Sequence, residues 1–436
     1  MPLPIDHAYP SDLATLVLRR WDDAVAAGWC DLTRPDAASL AAVLSTCYQA
    51  TLLREEGRPV TFRLALSDPD AFEAAGGPPS GFHRLVFVRR LPLDAHELRR
   101  LSPAAVFSRS LIGATLTASE QPAVWGLIHS GPQWLQSLRG GRARHQTVPE
   151  VLMIAATGPG RLLVSIGSRT LAELKSGTVS SMEMDLFESH WMQDRLAEMT
   201  SVNLAALSGH GQPADDGAPG IDAPFATVLV GHVLRRMLAT VRAAEHGGTV
   251  ILIPRHRASV LLADGRYMRV KYAFDDEEPR RRIATLVGAM MHEMARHVSK
   301  GATIGWDSYQ SSAAAQVAEI DESLFEVAQL LADLTRVDGT VLMTDSLEVL
   351  GFGVEIAGEL PEVAQVARAR DLDGNDREWV RTDRVGTRHR SAYRLCQALH
   401  DALALVVSQD GGLRFIRWHG DAVTYWEQLA IGPWDA

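Results

Sequence analysis

Residues 208–224 read SGHGQPADDGAPGIDAP. The run is rich in Gly, Pro and Asp and has no apolar period, so it offers no face for a helix or strand to bury. It reads as an exposed linker, and it cuts the 436-residue chain nearly in half. A chain of this length supports two or three domains of ordinary size. The expected organisation is a first domain over 1–207, a linker over 208–224 and a second domain over 225–436. Hydrophobic residues make up 46% of the chain and charged residues 22%, a balance that fits folded domains rather than disorder. We find no internal repeat.

The two halves carry different patterns. In the first, residues 11–28 and 36–55 are spaced as helices, and FHRLVFVRRL (82–91) has strand character. VLMIAATGPGRLLVSIG (151–167) holds two β-rich runs around Gly-Pro-Gly, the signature of a hairpin. TLAELKSG (170–177) reads as a short helix closed by glycine. No cluster of catalytic residue types stands out in this half. The second half alternates more regularly. A helix over 225–246 is followed by Gly247-Gly248 and the strand run TVILI. LLADGRYMRVKY (261–272) reads as a strand pair. Helices are expected over 283–298 and 317–334, and strands in TVLMTD, VLGFGVEI, ALALVVS and LRFIRW. The fold class is α/β: a mixed sheet surrounded by helices, preceded by a separate α+β domain.

The formal net charge of −10 argues against non-specific binding to nucleic acid or an anionic membrane. Lys175, Lys271 and Lys300 are the only lysines, so the positive charge is almost all arginine. Cys30, Cys47 and Cys396 are odd in number and far apart. That argues against a disulfide framework or zinc site, and it fits a reducing compartment. The first residues lack a basic stretch followed by an apolar core, and no run approaches 18 apolar residues. The expectation is a soluble cytoplasmic protein with no nucleic-acid or membrane partner.

Two motifs carry chemistry. Gly386-Thr387-Arg388-His389-Arg390 stands where a helix with apolar residues at Tyr393, Leu395, Cys396 and Leu399 begins. A helix start presents free N–H groups and the positive end of the dipole. Added cations oppose that dipole, and a bound phosphate would resolve the conflict. Forked guanidinium donors match phosphate oxygens, and His389 adds a donor whose charge responds to pH. Thr387 as a helix cap is the reading that needs no ligand. Asp338-Gly339-Thr340 sits where a long helix gives way to an apolar strand. It is either a plain turn or a carboxylate at a strand edge, able to hold Mg²⁺ or Mn²⁺ and polarise a hydroxyl.

Three further stretches are set aside. Arg255-His256-Arg257 follows a strand and reads as a polar loop. In HEMARH the histidines, His292 and His297, are five apart, roughly 140° around a helix, where a zinc-protease helix needs neighbours at i, i+4. DLDGND (371–376) misplaces the glycine of a calcium loop and reads as a solvated turn in a charged insertion.

Taken in order, GGTVILI, DGTVLMTD and GTRHRSA with the helix and LALVVS behind it resemble the diadenylate cyclase domain, over about residues 226–430. The resemblance implies a nucleotidyltransferase that condenses two ATP molecules into cyclic di-AMP and releases two pyrophosphates. It implies a divalent metal, Mg or Mn, and a homo-oligomer in which two cyclase domains meet face to face. By the same resemblance Asp338 binds the metal and helps deprotonate the attacking 3′-hydroxyl. Gly339 and Thr340 line the nucleotide pocket together with Gly386, and Thr387, Arg388, His389 and Arg390 cradle the phosphates. Thr340 stands where the family usually has alanine, and Gln409-Asp410 where many members have acidic residues. These departures motivate a second expectation: a nucleotide-binding signalling module on the same fold without catalysis. AVWGLIHSGPQWL (123–135) and the 151–167 hairpin resemble the sensor domains fused in front of such cyclases, nearest to the type called DACNV. That implies a small-molecule or protein ligand for the first domain.

Overall fold

The computed structural model describes residues 7–28, 30–72, 76–78, 81–116, 121–131, 149–180, 185–208, 220–221, 223–244, 246–297, 303–337, 339–357, 359–409 and 411–428. The fold is mixed α/β, in two compact units that divide between residues 183 and 184.

The first unit is built on an eight-stranded sheet. Its spatial order is Thr178–Ser180, Arg169–Lys175, Arg161–Ile166, Leu152–Gly158, Phe62–Leu66, Ser110–Thr115, Ala123–His129 and His83–Pro92. One neighbouring pair, Phe62–Leu66 with Ser110–Thr115, is parallel, and the others are antiparallel. Helices Pro10–Ala26 and Ala37–Thr51 bury Leu13, Val17, Trp21, Leu40, Leu44 and Cys47 in one core with the inner strand residues. The hairpin expected at 151–167 is present. TLAELKSG is not a helix; Arg169–Lys175 is a strand paired with Arg161–Ile166. Its Ala, Leu, Glu and Lys are good helix formers, but the pairing edge left by the preceding strand outweighs so short a propensity.

The second unit is a three-layer arrangement. Its nine-stranded sheet runs in the order Met268–Ala273, Val349–Ile356, Thr340–Thr344, Gly248–Ile253, Leu403–Val407, Leu413–His419, Ala422–Gln428, Gln365–Ala369 and Arg377–Arg381. Gly248–Ile253 runs parallel to Thr340–Thr344 and antiparallel to Leu403–Val407. It is buried on both faces. Val250 and Leu252 enter one core, and Ile251 and Ile253 the other, as the period of two requires. Helices His190–Ser208, Ala223–Ala243, Glu277–His297 and Ala315–Leu334 pack on one face. Arg255–Asp264 and Thr387–Ala398 pack on the other.

The contact boundary falls earlier than the Gly/Pro/Asp run. The helix His190–Ser208 belongs to the second unit because Trp191, Met192, Leu196 and Met199 are buried in that unit's core. The Trp191 ring lies 4.8 Å from that of Trp426. Of the run at 208–224, residues 209–219 and 222 lie outside the described residues.

Two more readings change. LLADG closes the helix Arg255–Asp264, with Gly265 left-handed at its end (φ 61°), so only Met268–Ala273 of the expected strand pair is strand. Arg255-His256-Arg257 is therefore a helix start and not a loop. Residues 371–376 form the turn of a hairpin between Gln365–Ala369 and Arg377–Arg381. That hairpin extends the sheet beside Ala422–Gln428.

Candidate functional site

Register places three chain passages at one end of the second sheet. Thr249 is opposite Thr340 in the parallel pair, so both strands begin there. Gly248 is opposite Val407 in the antiparallel pair, so a third strand ends there. The segments just outside these positions, Gly247, Gly339 and the turn after Val407, are therefore neighbours. Gly247 and Gly339 both have positive φ, 65° and 78°, a region that glycine enters at no steric cost. The Thr249 N–H donates to the Gly339 carbonyl at 2.6 Å and ties two of the passages together.

The helix Thr387–Ala398 delivers Arg388 to this place. Its Nη1 donates to the His246 carbonyl at 3.2 Å, across 142 positions of chain. A Cβ on Gly339 would lie 2.9 Å from Arg388 Nε, and one on Gly247 would lie 2.7 Å from Nη1. Both glycines are thus required twice, for backbone conformation and for the space the guanidinium occupies. Among the described residues Arg388 has no carboxylate partner. The two motifs singled out in the sequence, some fifty residues apart, meet through Arg388 and Gly339.

The other expected site residues are placed as follows. Asp338, the carboxylate expected to hold metal, lies outside the described residues. Thr340 is buried as the first residue of its strand. Gly386 is the N-cap, and no side chain caps the helix. Thr387 is the first helical residue rather than its cap, so the capping role expected for that threonine is not taken. A Cβ on Gly386 would meet nothing within 4 Å. Neither packing nor its φ of −64° demands glycine there. Thr387 and Arg390 are exposed, and His389 is half-buried with its ring 6.5 Å from that of Tyr393.

The inner face of this helix is inert. Burial pushes the Cys396 thiol up to about 12, and its Sγ lies 3.3 Å from the Ile416 carbonyl. Burial also pushes Tyr393 up to about 12, and its hydroxyl accepts from Arg414 at 3.2 Å. Neither group ionises near neutrality to act as a nucleophile or base. All three cysteines are buried and free.

Sequence reasoning missed His246 and Gly247 as site residues. The Gly-Gly before TVILI was legible as a strand entry, but its guanidinium neighbour comes from a helix far along the chain. The HEMARH histidines do not converge. His292 is exposed, and His297 Nε2 lies 2.9 Å from Glu293 Oε1. Among the described residues no group of three or more His, Cys, Asp or Glu is placed to hold a metal ion, and no helix is long and apolar enough to cross a membrane.

The first unit holds a cavity of about 450 Å³, lined in part by Trp21, Arg34, Asp36, Ser67, Asp68 and Leu116. It lies at the carboxyl ends of the parallel pair Phe62–Leu66 and Ser110–Thr115. Trp21 Nε1 and Ser67 Oγ are buried without a hydrogen-bond partner among the described residues. Trp125, from the stretch noted at 123–135, is core: it fills the space over Gly113 and donates from Nε1 to the Ser67 carbonyl at 2.8 Å. Residues 132–135 of that stretch lie outside the described residues.

Residues 31–129 match the family model described as "Probable sensor domain DACNV". The match runs from the entry of the helix Ala37–Thr51 to the end of the strand Ala123–His129, inside the first unit. No curated protein and no solved structure matches the chain.

Proposed function

We propose that the chain is a sensor-linked nucleotide cyclase that condenses two ATP molecules into cyclic di-AMP. The observation that carries this is the packing of Arg388 against the Gly339 and Gly247 backbones. It places a forked cation beside the residue that follows Asp338. In each half-reaction a 3′-hydroxyl oxygen bonds to the α-phosphorus of the other ATP. The bond from that phosphorus to the pyrophosphate oxygen breaks, and the hydroxyl proton is taken up by a base. Asp338 is the carboxylate assigned to that hydroxyl. Arg388, His389 and Arg390, with the uncapped amides after Gly386, hold the phosphates and stabilise charge on the leaving pyrophosphate. Gly339 and Thr340 line the nucleotide pocket, and Thr387 adds a hydroxyl at the first helical position.

A divalent ion fits this donor set in one way. The chain assigns one carboxylate, Asp338, and the described residues add no three-residue metal cluster. Mg²⁺ commonly binds through one or two carboxylates with substrate phosphates and water completing the shell. When bound it would neutralise phosphate charge and acidify the hydroxyl. Two sites must face each other to close the ring, so the active form is a homo-oligomer. Binding of a small-molecule or protein ligand to the first unit would regulate that pairing.

The test is incubation of purified protein with ATP and Mn²⁺ or Mg²⁺, with nucleotides resolved by mass spectrometry. Asp338→Asn and Arg388→Ala run alongside. Cyclic di-AMP that disappears in both variants supports the cyclase. A second reading, a non-catalytic nucleotide-binding module, is favoured by buried Thr340 and by the uncharged Gln409, whose backbone N would lie 3.1 Å from a Cβ on Gly247. ATP binding without product, weakened by Arg388→Ala, would select it.

A further inference from the structure

A second arginine approaches the same end of the sheet from a different helix. Arg242 stands in the last turn of the helix Ala223–Ala243. It is 8% exposed. Its Nη1 is buried without a hydrogen-bond partner, and among the described residues no carboxylate pairs with it. A Cβ on Gly411 would lie 3.4 Å from Arg242 Nε, and Gly411 has φ 78°. The turn after Val407 is therefore bracketed by two guanidiniums. Arg388 is reached through Gly247, which also approaches Gln409 N, and Arg242 is reached through Gly411. Gly247, Gly339 and Gly411 all have positive φ, and each lies against an arginine.

A structural role explains this poorly. A cation in the last turn of a helix complements the dipole, but that needs no burial. A buried guanidinium with an unused donor forfeits hydration with nothing in return. Its five N–H donors match phosphate oxygens in pairs. No sequence pattern marks Arg242, because it lies in an apolar-faced helix outside both motifs.

We propose that Arg242 is a second phosphate-binding arginine of this site, holding the outer phosphates of the nucleotide whose chain Arg388 also grips. This rests on the nucleotide reading above. The ligand class it selects is a di- or triphosphate, in preference to a monophosphate. Arg388 and Arg242 then reach the ligand from two different helices, and the pyrophosphate portion is held by both guanidiniums.

The test is calorimetric titration of the full chain with pyrophosphate, ATP and AMP, for the wild type, Arg242→Gln and Arg242→Lys. Arg242→Gln is expected to weaken pyrophosphate and ATP about 10-fold or more and to leave AMP unchanged. Arg242→Lys, which keeps the charge and the fold but not the fork, is expected to fall between. A Gln variant, or a Lys variant if Gln does not fold, that binds pyrophosphate as the wild type does would overturn the proposal and leave Arg242 structural. So would a loss that Asp410→Asn reproduces equally in thermal stability, since Arg242 would then be serving a carboxylate of the chain. A wild type that binds neither ATP nor pyrophosphate would instead overturn the nucleotide reading itself, before any variant is compared.

Discussion

The chain writes Arg-His-Arg twice, at 255–257 and at 388–390, and each time a helix begins there. The two starts lie at opposite ends of one sheet: the first follows Ile253, and the second meets Gly247. The first is neutralised by the chain itself. Asp345 Oδ1 accepts from the Arg255 N–H at 2.8 Å, and Arg257 Nη1 reaches Asp401 Oδ2 at 2.5 Å. At the second, among the described residues no side chain caps the amides, and Arg388 finds a backbone carbonyl instead of a carboxylate. The tripeptide is therefore not a site by itself. What distinguishes the two is whether folding brings carboxylates or glycines to the helix start. A cation facing a carboxylate is satisfied, and one facing open backbone retains its capacity for an anion.

The sharpest test of this contrast pairs Arg388→Ala with Arg257→Ala. The first is expected to weaken ATP binding about 10- to 100-fold, the range of a charged hydrogen bond, measured by calorimetry. The second should leave ATP binding intact and cost at most about 1 kcal/mol, as for a half-exposed ion pair. If Arg257→Ala impaired ATP binding as much, the distinction between the two starts would fail.

Glycines supply the next test. Gly339→Ala forces a side chain into positive φ and against Arg388, and is expected to cost about 1–3 kcal/mol and to reduce ATP binding. Gly386→Ala meets open space and should stay within about 1 kcal/mol in stability. Urea denaturation and ATP titration of both variants separate the two. A smaller effect follows from Asp345→Ala, which removes the acceptor at the first helix start. It should lower stability by about 1 kcal/mol without altering ATP binding.

The smallest effect at neutral pH, growing only in alkali, comes from the buried face of the second helix. Tyr393 and Cys396 both have folded values raised to about 12, above the ordinary 10.0 and 9.0. The folded state keeps protons that the unfolded chain releases, so their contribution is complete below about pH 9 and is lost as pH rises toward 12. The urea midpoint should fall over that window, and less steeply in Tyr393→Phe. The first helix start buries Ala258 and Leu261 and has no equivalent.

Much of the second unit was legible from local pattern. Ala315–Leu334, Val349–Ile356 and Leu403–Val407 lie where apolar spacing placed them, because burial on a helix stripe or both strand faces leaves its period in the sequence. Arg169–Lys175 was misread because its residues suit a helix and only a neighbouring strand makes them a strand. Residues 255–264 were misread because Pro254 as N-cap supplies no side-chain signal. The hairpin at 365–381 was hidden by charge: Arg368 and Arg370 pair with Glu378, and Arg368 also with Glu427 at 2.8 Å, so its solvated face carries the salt bridges that read as an insertion.

By itself the sequence determined the mixed α/β class, the split into two parts and the two motifs whose residue types suit a nucleotide. These are local properties, set by period, turn chemistry and the donors each side chain carries. Only the tertiary structure decided that Arg388 lies on Gly339 and Gly247, that Arg242 stands buried beside Gly411, and that the other Arg-His-Arg is spent on Asp345 and Asp401. Those facts depend on strand order and register, which bring together residues as far apart in the chain as Arg242 and Gly411. No local propensity encodes which partner a charge will meet.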